Sequence, residues 1–155
     1  MRWWFYLTPL GWLDLYLTLV LLTHESGHFI VAYLTGHKII RFKIGLREPV
    51  IKFRAGKILF EFSLDANGGC VNTDTTVYVS QIGILLTALA GPIFELSLAT
   101  GILVFTMIFF GQSYGTNSLY FLYQTILLSL SFVTFWTGIE GLIRDVKNIL
   151  KASAS

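Results

Sequence analysis

Charge is scarce in this sequence of 155 residues: 13% are charged, against 54% apolar. A share that small excludes an ordinary soluble domain and points to a membrane protein. The formal net charge is only +2 and the basic residues form no long run, so there is no electrostatic footprint for nucleic acid. The single cysteine, Cys70, excludes an internal disulfide and a CxxC site, and its expected role is packing. Arg2 and the apolar stretch after it resemble a secretory signal, but no small-x-small cleavage pattern follows, so the stretch is expected to stay as a membrane helix.

What the sequence has instead is long apolar runs. A hydrocarbon core of ~30 Å takes about 20 helical residues, and the stretches 10–35, 82–110 and 119–143 meet that length. Between the first two, residues 36–78 alternate apolar and polar positions at Ile39 to Gly45 and Ile58 to Leu64, broken by Pro49, Ala55-Gly56 and Asn67-Gly68-Gly69. Period-two geometry puts Phe60, Phe62 and Leu64 on one face, with Glu61 and Ser63 on the other. The expected fold is an integral membrane protein, mainly α, with three transmembrane helices and a small β-hairpin or sheet between the first and second. Residues 1–155 then form a single domain.

Ten of the eleven Lys and Arg residues fall in 36–78 or after the third span. The positive-inside rule puts both on the cytoplasmic side and the N-terminus outside.

Inside the first span stands His24-Glu25-Ser26-Gly27-His28. Imidazoles four residues apart share a helix face and can hold one zinc ion, while Glu25, about 100° around, can accept a proton from water there. Ionisable groups in a bilayer helix cost several kcal/mol unless they have partners, so such a cluster is functional by default. A catalytic zinc takes a third protein ligand. His37 follows Gly36 at the membrane surface, where it is an interfacial side chain, and Asp14 is a helix-end group at the opposite interface.

Glu140, between Gly138 and Gly141, is the preferred third ligand, and Asp145, just beyond the third span, is the alternative. Depth favours neither simply. At ~1.5 Å per residue His28 is roughly 12 Å from Gly36 and Glu140 about 6 Å from Arg144, a gap that snorkelling of Arg144 or local unwinding has to close. In the second span, Pro92 of Ala90-Gly91-Pro92 frees the carbonyl of Ala88 and falls near the depth of the histidines. Glu95, one turn on, is either a group near the site or a buried carboxyl bonded to a neighbouring helix.

With HESGH, the strand-rich segment and AGP in this order, the chain resembles the site-2 protease family of intramembrane metalloproteases over residues 20–143. Phe42 to Gly45, Asn67 to Val71 and Ala90 to Pro92 match the family's intermediate features, and Ile139-Glu140-Gly141 takes the place of its Leu-Asp-Gly motif. Three departures are Glu140 for the aspartate, Phe132 to Thr137 for an Asn-Pro-rich run, and Glu95 for the Asn that often follows AGP.

The resemblance implies zinc bound by His24, His28 and Glu140, with Glu25 as catalytic base; Pro92, Glu95, Asn67 and Asp145 are further candidates near the site. It implies regulated intramembrane proteolysis of a transmembrane protein or peptide, in a prokaryotic cytoplasmic membrane. The alternative is a catalytically inactive homologue that binds transmembrane helices. An unwound substrate is expected to pair with an exposed edge of the Ile39 to Leu64 strands, which would satisfy its freed backbone groups.

Overall fold

Runs of Leu, Ile, Val and Phe with few breakers fold as three long helices in a computed structural model. It describes residues 9–63, 68–74, 76, 78–110 and 118–153, without the side chains of 9, 10, 110, 118–123 and 148–153. The elements are α1 (Pro9–Leu34), β1 (Ile39–Ile44), β2 (Ile51–Ala55), β3 (Ile58–Phe62), β4 (Gly69–Thr73), α2 (Gln81–Phe110) and α3 (Ser118–Ser153). Segments long and apolar enough to cross a membrane are Gly11–Leu34, Gln81–Phe109 and Gln124–Lys147. The protein is thus mainly α, with three membrane-length helices and a four-stranded sheet between the first two.

The third helix departs from expectation. The apolar signal fades at residue 143, yet the helix continues to Ser153, because Leu142 to Lys151 contain neither glycine nor proline to stop it. Asp145 therefore lies inside a continuous helix.

Small residues set how the helices meet. Gly27 abuts α2 so closely that a Cβ there would fall 2.6 Å from the Ala90 carbonyl oxygen. Ser131 donates from its hydroxyl to the Ala99 carbonyl, 2.9 Å away, tying α3 to α2. Helix α2 thereby lies between the other two. At the end remote from the sheet, α1 and α3 are pinned together by Tyr16, whose hydroxyl donates to the Leu130 carbonyl at 3.0 Å and also contacts Thr134.

Helix α1 ends at Gly36, whose φ of 83° is open to glycine at little cost, and the His37 amide donates back to the Ala32 carbonyl at 2.9 Å. The chain then builds a sheet in the order β2-β3-β1-β4, with β1 parallel to β3 and antiparallel to β4, and β2 antiparallel to β3. Strands β2 and β4 are its edges. Phe42, Phe60 and Phe62 share one face, and Phe29 of α1 packs edge-on against Phe42 with centroids 5.3 Å apart. That contact lays the sheet back along α1. Leu64 and Asn67 lie outside the described residues.

On the opposite face Glu61 is only 2% exposed, covered by two cations. Lys52 Nζ stands 2.9 Å from one carboxylate oxygen and Arg41 Nε 2.5 Å from the other, linking β2, β3 and β1. These two partners, Lys52 ahead of Arg41, hold the Glu61 carboxyl below the usual range.

Gly27→Ala is expected to force α1 and α2 apart and cost about 1–3 kcal/mol, the range for overpacking, read as a lower thermal unfolding midpoint in detergent. The Glu61 ion pairs stabilise the sheet above the ordinary glutamate value of about 4.3, and this contribution disappears as pH falls through the depressed folded value. Amide exchange in β1–β3 should accelerate on acidification in the native protein and much less in Glu61→Gln.

Candidate metal centre

The α-helical period brings His24 and His28 onto one face of α1, with their Nε2 atoms 3.2 Å apart. Each ring is oriented through its other nitrogen. His28 Nδ1 lies 2.6 Å from the Thr87 carbonyl oxygen, which can only accept, so Nδ1 carries the proton and Nε2 the lone pair. His24 Nδ1 lies 2.8 Å from Glu95 Oε2, and in the neutral ring donation to that carboxylate leaves Nε2 free to ligate. Glu95 is itself held by the Thr137 hydroxyl of α3, which donates to its other oxygen. Glu95 thus both bonds a neighbouring helix and touches His24.

In the neutral rings the two Nε2 lone pairs converge at 3.2 Å, an arrangement that a shared cation satisfies. The third donor is Asp145, whose Oδ2 is 3.8 Å from His24 Nε2 and 3.7 Å from His28 Nε2. This oxygen is buried and has no hydrogen-bond partner. Zinc with ligand bonds of about 2.0–2.1 Å sets neighbouring donors roughly 3.3 Å apart in a tetrahedron, so the three atoms need to close by only a few tenths of an ångström. Two neutral imidazoles and one carboxylate are a zinc donor set, and among the described residues this is the one group of three such side chains.

The backbone is shaped to leave room for that group. A Cβ on Gly91 would fall 2.4 Å from His28 Nε2 and 2.8 Å from His24 Nε2, and one on Gly141 would fall 3.0 Å from His24 Cε1. Pro92 is fully buried beside Gly141 within an unbroken α2. The carbonyl that binds His28 is that of Thr87, one residue before the Ala88 carbonyl expected to be free.

Glu140 is not part of the group. It is exposed, and its carboxylate accepts from Trp136 Nε1 at 2.8 Å. Five residues separate it from Asp145, about 140° around a helix, so the two cannot point to one site. The sequence carries a signal for Asp145: Ser131, Thr134, Gly138, Gly141 and Asp145 recur at steps of three, four, three and four. The first four are buried, and they form the seam that faces α2. Asp145 continues that seam, whereas Glu140 lies off it.

Glu25 is 7% exposed and sits under β4, where a Cβ on Gly69 would fall 2.6 Å from its Cγ. Histidines, Glu25 and Asp145 open into a cleft of about 1060 Å³, lined also by Leu17 and Leu21 of α1 and by Cys70 and Val71 of β4. Cys70 thus has a place in the cleft wall as well as in packing. Burial, followed by the nearby Glu25 carboxylate, pushes its thiol above the ordinary range, which disfavours the thiolate a metal ligand requires. His37 lies apart from the group, its Nδ1 2.9 Å from the Thr35 hydroxyl. Asn67 falls outside the described residues.

Gly91→Ala is expected to displace both imidazoles and remove most bound zinc from folded protein, measured as metal per chain after purification, while Gly101→Ala, whose Cβ meets nothing within 4 Å, leaves it unchanged.

No curated protein matches the chain. A family model described as Peptidase family M50 matches residues 13–154, a range that contains both histidines, the sheet, Glu95 and Asp145. The chain therefore belongs to Peptidase family M50, the site-2 protease family.

Proposed function

We propose that the protein is a zinc-dependent intramembrane protease that hydrolyses peptide bonds in or near transmembrane segments, with His24, His28 and Asp145 as the metal ligands. The observation that carries this is the convergence of two Nε2 lone pairs and an unpartnered carboxylate oxygen beside Glu25. Asp145 takes the ligand role that the resemblance gave to Glu140. Family membership supports the metalloprotease activity in general.

When bound, zinc supplies Lewis acidity at the scissile carbonyl and lowers the pKa of water. Glu25 acts as general base, and its backbone neighbour His24 keeps it beside the metal ligands. Glu95 and Thr87 hold the imidazoles in the tautomer that keeps both Nε2 atoms free to ligate. Water reaches the cleft from the side that carries the sheet. By the distribution of basic residues this is the cytoplasmic side, with the N-terminus outside, and a prokaryotic cytoplasmic membrane is the proposed location.

The substrate is a transmembrane protein or peptide. Intact helix shields its peptide bonds, so local unwinding precedes cleavage and frees backbone groups that need partners. An edge strand provides them. The cleft is lined by edge strand β4, which lies outside the Ile39 to Leu64 stretch expected to offer the edge. Substrate pairs there in extended form, one strand away from Glu25.

Zinc per chain in detergent-purified protein tests the ligand set: Asp145→Ala should lose it and Glu140→Ala keep it. Glu25→Gln should retain zinc while cleavage of a transmembrane peptide panel falls by about 10²–10⁴-fold, the usual contribution of a general base. Folded wild type without zinc affinity would favour the inactive homologue. A proline scan of residues 70–72 should yield a variant that keeps zinc and loses cleavage, because one outward-facing amide is then missing. Cleavage by every zinc-retaining proline variant would sink strand addition.

A further inference from the structure

Glu140 remains unexplained once Asp145 completes the metal group. It lies within the membrane-length segment Gln124–Lys147, seven residues from its end, and it lines the same cleft as His24, Glu25 and Asp145. A carboxylate at such depth is costly without a partner. Among the described residues none of the ion pairs includes it, not even with Arg144 one turn away on the same helix; its recorded partner is the neutral indole of Trp136.

That indole is the second half of the observation. Trp136 is 57% exposed, and its N–H is turned to Glu140 Oε1. An exposed indole face beside a carboxylate is a pair suited to a cation, which the π-system and the negative charge both attract. An ammonium or guanidinium on an incoming peptide fits both, and a neutral side chain fits neither.

We infer that Glu140 and Trp136 form a recognition site for a lysine or arginine side chain of the substrate, placed toward the membrane side of the scissile bond. This rests on the protease reading and deepens it by naming a substrate class. Glu140 is five residues before Asp145, about 7.5 Å along the helix, and an extended peptide rises about 3.3 Å per residue. The recognised residue is thus roughly two positions from the scissile bond. A basic residue is rare within a transmembrane segment, so a site for one confers selectivity on a cleft whose α1 wall beyond the histidines and Glu25 is leucine and valine.

The test is a charge swap with the full chain in detergent micelles. Transmembrane peptides carry Lys, Arg, Leu or Glu at each of the four positions on the membrane side of the cleaved bond. Wild type, E140Q and E140K are compared for kcat/KM, and the same peptides are titrated against zinc-loaded E25Q and the E25Q/E140Q pair for affinity.

Wild type is expected to prefer a Lys or Arg peptide over Leu by about tenfold at one position, with the difference in KM. E140Q should lower that ratio to near one, and E140K should favour the Glu peptide, with zinc per chain unchanged in both. Equal preference in wild type and the two variants would overturn the inference, as would loss of zinc in E140Q, which would make Glu140 a ligand. Should zinc-loaded wild type cleave no peptide, the protease reading fails alone: weaker binding of the Lys peptide to E25Q/E140Q than to E25Q supports cation recognition, and equal binding overturns it.

Discussion

The orientation of two imidazoles by acceptors on α2 governs this structure. His24 and His28 are each committed through Nδ1 to an acceptor on α2, so their Nε2 atoms meet 3.2 Å apart. In the neutral rings both Nε2 lone pairs converge, and a shared cation satisfies them. The other elements of the centre serve this pairing: Gly91 gives the rings space, Gly27 lets α2 come near enough to supply both acceptors, and Thr137 of α3 fixes Glu95.

Helix α2 is therefore more than a spacer. It carries the Thr87 carbonyl, Gly91 and Glu95, spaced by four residues each, and one face of it contacts the histidines across two turns. Pro92 between them removes a backbone donor without breaking the helix, and the close approach of Gly141 packs α3 against it. Two helices held to a common third, pinned at one end by Tyr16, leave a cleft at the other end that holds the two histidines, Glu25 and Asp145.

The sheet completes the centre from outside the helices. Phe29 and Phe42 anchor it to α1, and that anchoring sets Gly69 on Glu25 and leaves edge strand β4 in the cleft wall. A residue larger than glycine at that point would meet Glu25. The paired cations around Glu61 keep the far side of the sheet closed without using apolar burial, in keeping with a segment placed at a charged membrane surface.

Hydropathy alone determined the three spans, because a bilayer demands about 20 apolar residues in a row and every backbone group satisfied within the helix. HESGH likewise announced the histidine pair and Glu25, since i and i+4 share a helix face whatever surrounds them. Strand alternation marked β1 and β3. It did not show their parallel pairing, nor that β4 would be the edge beside the site, because register and strand order depend on long-range packing.

The third side chain was decided by tertiary structure. Motif position favoured Glu140, but the buried seam from Ser131 to Gly141 rotates α3 so that Asp145 faces the histidines and Glu140 faces the cleft. Which of two carboxylates meets a metal depends on helix rotation and relative depth, and both are set by contacts between helices distant in sequence, α3 against α2 and Tyr16 of α1 against Leu130 of α3.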